Sequence, residues 1–102
     1  MSDRDDLSQL IDLAEGGNPF AQNWLGAKLA TGDGVQQDLQ QALYWYLKAA
    51  NAGYTHAKWN AGSMLIDGEG DIAPNPELGM QLIEEAAQAN ESSACLFLAL
   101  SL

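Results

Sequence analysis

The sequence predicts an all-α fold, a solenoid of stacked antiparallel helical hairpins, and three observations lead there. The chain repeats itself, the repeating positions are the small and apolar ones, and no stretch alternates at period two between turn signals. A shift of 36 residues lays Ala21, Gly26, Leu29, Gly32 and Gly34 on Ala57, Gly62, Leu65, Gly68 and Gly70. Beyond the glycines the shift becomes 37, which carries Ala49, Ala50, Ala52 and Ala57 onto Ala86, Ala87, Ala89 and Ala94, so one residue is inserted near Asp71. The register continues to both ends. The expected plan is a capping helix over 5–16, repeats over 18–53 and 54–90, and the first helix of an incomplete third repeat over 91–102, about six helices in all.

Each element has its own local signals. Leu7 to Glu15 forms an opening helix, and Asp3, Asp5 and Asp6 before it suit the positive end of its dipole. Asn18-Pro19 supplies an N-cap and a first-turn proline, and Phe20, Trp24, Leu25 and Leu29 give the apolar pattern. Gly32 ends that helix in a left-handed conformation. Asp38 caps the next, which carries Leu39, Ala42, Leu43, Tyr46, Ala49 and Ala50 at helical spacing and stops at Gly53. Thr55 and Gly68 bracket the fourth helix, Asn75-Pro76 and Asn90 the fifth, and Ser92 caps a last helix that runs to Leu102. Gly26 and Gly62 fall mid-helix, where glycine costs about 1 kcal/mol relative to alanine. That cost is tolerable where another helix crosses closely, and Ala49-Ala50 and Ala86-Ala87 are the expected facing surfaces.

Composition excludes several functions. Fourteen acidic against four basic residues leave a net charge of −10, too few cations to replace condensed counterions on nucleic acid or to grip anionic lipid. The single cysteine and single histidine offer neither an intrachain disulfide nor a structural zinc site. No apolar run approaches the roughly 20 residues of a membrane span. The acidic start has no signal-peptide character, which makes the cytoplasm the expected location.

The repeat resembles the Sel-one-like repeats (SLR), relatives of the tetratricopeptide repeat. The residues that carry the resemblance are Ala21, Leu25-Gly26, Gly32-Asp33-Gly34-Val35, Asp38, Ala42, Trp45, Lys48-Ala49-Ala50 and Gly53. The second copy departs at Asn75, Gly79, Leu82 and Asn90, where the family pattern has Asp, Ala, Trp and Gly. The resemblance implies a right-handed α-solenoid that acts as an adaptor or scaffold for other proteins and has no chemistry or cofactor of its own. It also implies that the first helix of each hairpin lines the concave groove, at Phe20, Asn23, Ala27 and Ala30 and at His56, Trp59, Ser63 and Ile66. Trp59 beside Asn23 has the make-up of a peptide anchor with a hydrogen-bonding neighbour. The competing expectation is that Trp59 packs on the next hairpin.

Other constellations carry less. Asp67-Gly68-Glu69-Gly70-Asp71 begins like a calcium loop, but an EF-hand needs glycine and glutamate where Ile72 and Leu78 stand. Of Tyr44-Trp45-Tyr46, Tyr46 and Trp45 suit the core and Tyr44 the surface. His56 reads as a first-turn surface residue and Cys95 as a small core residue. There is no phosphate loop, Ser-x-x-Lys or His-Glu-x-x-His, so no enzyme is expected. From Ala94 onward Ser101 is the only polar side chain, although a terminal solenoid helix needs a polar face. Leu96, Phe97 and Leu100 are therefore a candidate terminal interface, for further repeats, a partner or a second copy. The main expectation is an interaction module that binds a protein or peptide in the groove. The alternative is a small acidic inhibitor or immunity protein blocking a basic toxin or nuclease, supported by charge alone. All four Lys and Arg lie at or before Lys58, so a basic partner is expected to arrive at the acidic second repeat.

Overall fold

A computed structural model gives the backbone of residues 3–89 and 91–101 and the side chains of 7–89, 91 and 94–100. Among the described residues six helices follow one another: α1 (Asp3–Glu15), α2 (Pro19–Thr31), α3 (Leu39–Asn51), α4 (Thr55–Asp67), α5 (Pro76–Gln88) and α6 (Ser92–Ser101). Among the described residues there is no strand. The helices form an elongated stack of 47 × 27 × 18 Å.

The punctuation acts as the side chains dictate. Asn18 Oδ1 accepts from the Ala21 amide at 3.1 Å, Asp38 Oδ1 from Gln41 at 3.0 Å and Asn75 Oδ1 from Leu78 at 3.2 Å, each satisfying an orphan donor of a first turn. Gly32 closes α2 at φ 74°, its amide donating to the Lys28 carbonyl. Helix α4 starts without a side-chain cap, after Tyr54. Helix α1 begins at Asp3, four residues before the expected Leu7, because nothing in the acidic segment breaks a helix. The dipole role expected of the Asp3, Asp5 and Asp6 carboxylates, the stop at Asn90, the Ser92 cap and Leu102 lie outside the described residues and side chains.

Helices α2 and α3 pair as one hairpin and α4 and α5 as the next, and each pair crosses at a glycine. A Cβ on Gly26 would stand 2.8 Å from the Tyr46 ring and 3.2 Å from the Ala42 carbonyl oxygen. A Cβ on Gly62 would stand 2.8 Å from the Gly79 carbonyl oxygen, and one on Gly79 equally close to that of Gly62. The close crossings are as expected, but the facing residues are Ala42 with Tyr46 and Gly79 with Ile83. Ala49-Ala50 and Ala86 sit about a turn further along the second helices, buried in the apolar clusters. Gly79, a departure from the family pattern, lets two backbones meet where the first hairpin has Gly26 against an alanine.

Three apolar clusters run along the stack. The largest joins both hairpins through Ala42, Tyr46, Ala49, Ala57, Ala61, Met64, Leu65 and Ile72. Ala14, Ala21 and Leu25 hold α1 on the first hairpin, with Trp45 against them, and Ile83, Ala86 and Ala94 hold α6 on the second. The acidic loop is also tied down. Ile72 is buried, Gly70 approaches Leu39 so closely that a Cβ would lie 2.7 Å from its Cδ1, and Gln40 Nε2 donates to Asp71 Oδ2 at 3.0 Å. Among the described residues no three His, Cys, Asp or Glu side chains are placed to share a metal ion, and no helix is long and apolar enough to cross a membrane.

Candidate protein-binding surface

The first helices α2, α4 and α6 lie in a row, linked at their starts and at their middles. At the starts, Phe20 meets Tyr54 edge to face at 6.0 Å, and His56 Nδ1 lies 3.7 Å from Glu91 Oε1. At the middles, Asn60 Nδ2 donates to Asn23 Oδ1 at 2.9 Å, and the Trp59 ring meets that of Phe97 at 5.8 Å. These contacts divide the expected groove residues into two groups. Asn23 is buried and spent on Asn60, while Trp59 and Ile66 pack on the cluster that seats α6. The packing expectation for Trp59 is the one observed. Phe20 and His56 are exposed, and Ala27 and Ser63 are half-buried, with Ser63 Oγ donating to the Asn60 carbonyl at 3.0 Å.

Two apolar residues, Trp24 and Cys95, are at the surface, the second of them expected in the core. Trp24 is 51% exposed although it belongs to the apolar pattern of α2. It stands edge to face with Phe20 at 5.7 Å. Cys95 is exposed, with Sγ 3.5 Å from the Ala87 carbonyl oxygen, because Ala94 takes the buried position one residue earlier. Trp24 borders a cleft of about 460 Å³ between α1 and α2, together with Leu7, Leu10, Leu13, Lys28 and the loop at Asp33-Gly34. None of the expected groove residues lies in this cleft, and on its α1 side Leu13 is 54% exposed.

At the other end the three candidate interface residues also separate. Leu96 and Leu100 are exposed on α6, whereas Phe97 turns inward to Trp59. Tyr44 is exposed, as expected, with Lys48 Nζ 5.5 Å above its ring and Trp45 edge to face at 5.2 Å. Lys58 Nζ lies 3.1 Å from Glu85 Oε1, so the last cation of the chain is partly neutralised within its own hairpin.

A first helix ending in a glycine loop, a second helix opened by Asp38 or Asn75 and a crossing glycine form a unit that occurs twice. The family model of the Sel1 repeat matches residues 19–54 and 55–91. The chain belongs to the Sel1 repeat family. It is 34% identical to a Sel1 repeat protein from Oxalobacter formigenes, over 96% of this chain and 73% of that one, with a TM-score of 0.90. It is 27% identical to a protective antigen of uropathogenic Escherichia coli that displays an SLR fold, over 83% of this chain and 18% of that one, with a TM-score of 0.80. A search of curated proteins found no match. Sel1 repeat proteins are in general protein-interaction modules, typically without catalytic activity.

Proposed function

We propose that this Sel1 repeat chain is a noncatalytic adaptor that holds a protein segment along the row formed by α2 and α4. The observation that carries the reading is the pair Phe20 and Tyr54. Two aromatic side chains from successive hairpins meet edge to face with Phe20 still 55% exposed, so a partner can cover apolar surface that the fold has already ordered. His56 and Ser63 border the same row and offer polar contacts. Asn23 and Trp59, spent on Asn60 and Phe97, link the first helices of this row to their neighbours. The exposed Leu96 and Leu100 of α6 provide a second contact surface at the end of the stack. The excess of carboxylates over Lys58 in the second hairpin favours a partner of basic character, whose encounter rate falls as salt rises.

The test is capture of partner protein on the immobilised chain, followed by titration of the captured protein against variants. Phe20→Ala combined with Tyr54→Ala is expected to weaken binding at least tenfold, about 1.4 kcal/mol. Gln41→Ala, an exposed change on α3, is expected to leave it unchanged. Equal binding by the aromatic variant and the parent chain overturns the site.

A further inference from the structure

The contacts between first helices recur at one point of the repeat, and the two ends of the stack each present half of such a contact. Asn23 and Trp59 are 36 residues apart, and their partners Asn60 and Phe97 are 37 apart, so the Asn23 to Asn60 and Trp59 to Phe97 pairs are the same contact one step on. A further step outward reaches Leu96, in the register of Trp59, and Trp24, in the register of Asn60. Leu96 is 61% exposed and Trp24 51%.

The second helices lead to the same seat. Leu10 and Leu13 of α1 hold the register of Tyr46 and Ala49 of α3. Tyr46 lies against Gly26 of α2 and is 6% exposed, and Ala49 is fully buried, whereas Leu13 is 54% exposed. Helix α1 therefore presents the face that α3 covers with a first helix. The cleft lined by Leu7, Leu10, Leu13 and Trp24 has the place and the apolar lining of a first-helix seat.

We propose that the occupant is α6 of a second copy of this chain. Helix α6 is a first helix by register, with Ala99 where α4 has its crossing Gly62. It contains no charged residue, so the helix itself brings no charge out of water, and Lys28 and Asp33 at the rim of the cleft are paired with each other. With α1 of the next copy it completes a hairpin, and the contact continues the internal stack: Leu96 on Trp24 follows Trp59 on Phe97. Such an interface is heterologous, so it propagates head to tail into open chains or rings rather than closing as a two-fold dimer. It buries little more than one helix and is therefore weak and concentration-dependent. Each copy carries −10, so salt strengthens the association by screening, the opposite of its effect on a basic partner. The inference rests on the reading of α6 as a contact surface and adds the identity of what it contacts.

The test is sedimentation velocity of the 102-residue chain over a concentration series at low and high salt, with Trp24→Glu, Leu96→Glu and their mixture. The parent chain is expected to form a ladder of species that grows with concentration and salt. Each variant alone is expected to stay monomeric, with helix content unchanged because both positions are exposed. Mixed, the two variants are expected to form a capped 1:1 dimer, since each keeps the end that the other has lost. A parent chain that stays monomeric at every concentration and salt overturns the proposal. So does a mixture that stays monomeric. Loss of association in Leu96→Glu but not in Trp24→Glu overturns the head-to-tail seat while leaving α6 as a contact surface.

Discussion

Trp24 and Trp59 sit on equivalent first helices one residue apart in the repeat, yet one is half-exposed and the other is packed. The difference lies in the neighbours. Trp59 has α6 on its flank, with Phe97 against it, while the flank of Trp24 opens on the cleft beside α1. In a solenoid, burial is a property of position in the stack. The same residue type is core on the side that a neighbouring first helix covers and contact surface on the side that none covers.

The largest effect is expected at the crossing of α4 and α5. Ile83 is fully buried and presses on the Gly62 crossing, so Ile83→Ala should cost about 3 kcal/mol, within the range for buried aliphatic truncations. Urea unfolding of the purified chain measures it, and a cost near zero would mean that the α4 and α5 crossing is not tightly packed. Trp59→Ala should cost about 2 kcal/mol, less than a fully buried tryptophan because one side remains open. The loss should also free α6 first, visible as faster amide exchange beyond Ala94 than in α3.

Alkaline pH separates the two hairpins more gently. Burial, with the Glu69 carboxylate adding to it, raises the Tyr46 phenol above its ordinary value of 10.0, while the second hairpin has Ile83 in that register. The folded chain then keeps a proton that the unfolded chain releases. Stability from this group is intact below pH 10.0 and falls as pH rises from there through the folded value. The unfolding midpoint of Tyr46→Phe should decline less steeply over that interval than that of the parent. The smallest effect belongs to Trp24→Ala, which should change stability by no more than about 0.5 kcal/mol, as at other surface positions. A larger loss in the isolated monomer would show that the cleft side of Trp24 contributes to the fold.

Much of this was legible in the sequence for a local reason. Asn18, Asp38 and Asn75 cap helices through their own next three residues, and Gly32 and Gly68 close helices by their own φ, so a linear reading finds them. The crossing glycines were legible as places of close approach, but what faces them depends on the angle between two helices. That is why Ala42, Tyr46, Gly79 and Ile83 were passed over for the alanine pairs. The site was less legible still. Asn23, Trp59 and Phe97 are consumed by contacts between residues 37 and 38 apart, and the exposure of Trp24 and Cys95 is decided only once the neighbouring helices are in place.

If the contact between first helices decides what is core and what is surface, a double-mutant cycle on Trp59 and Phe97 will show it. If their edge contact joins α6 to the stack, the costs of Trp59→Ala and Phe97→Ala in urea unfolding will fall short of additivity by about 1 kcal/mol, the coupling expected of an aromatic pair. Strictly additive costs would contradict the claim, since α6 would then be held without that contact and the exposure of Trp24 could not be traced to its absence.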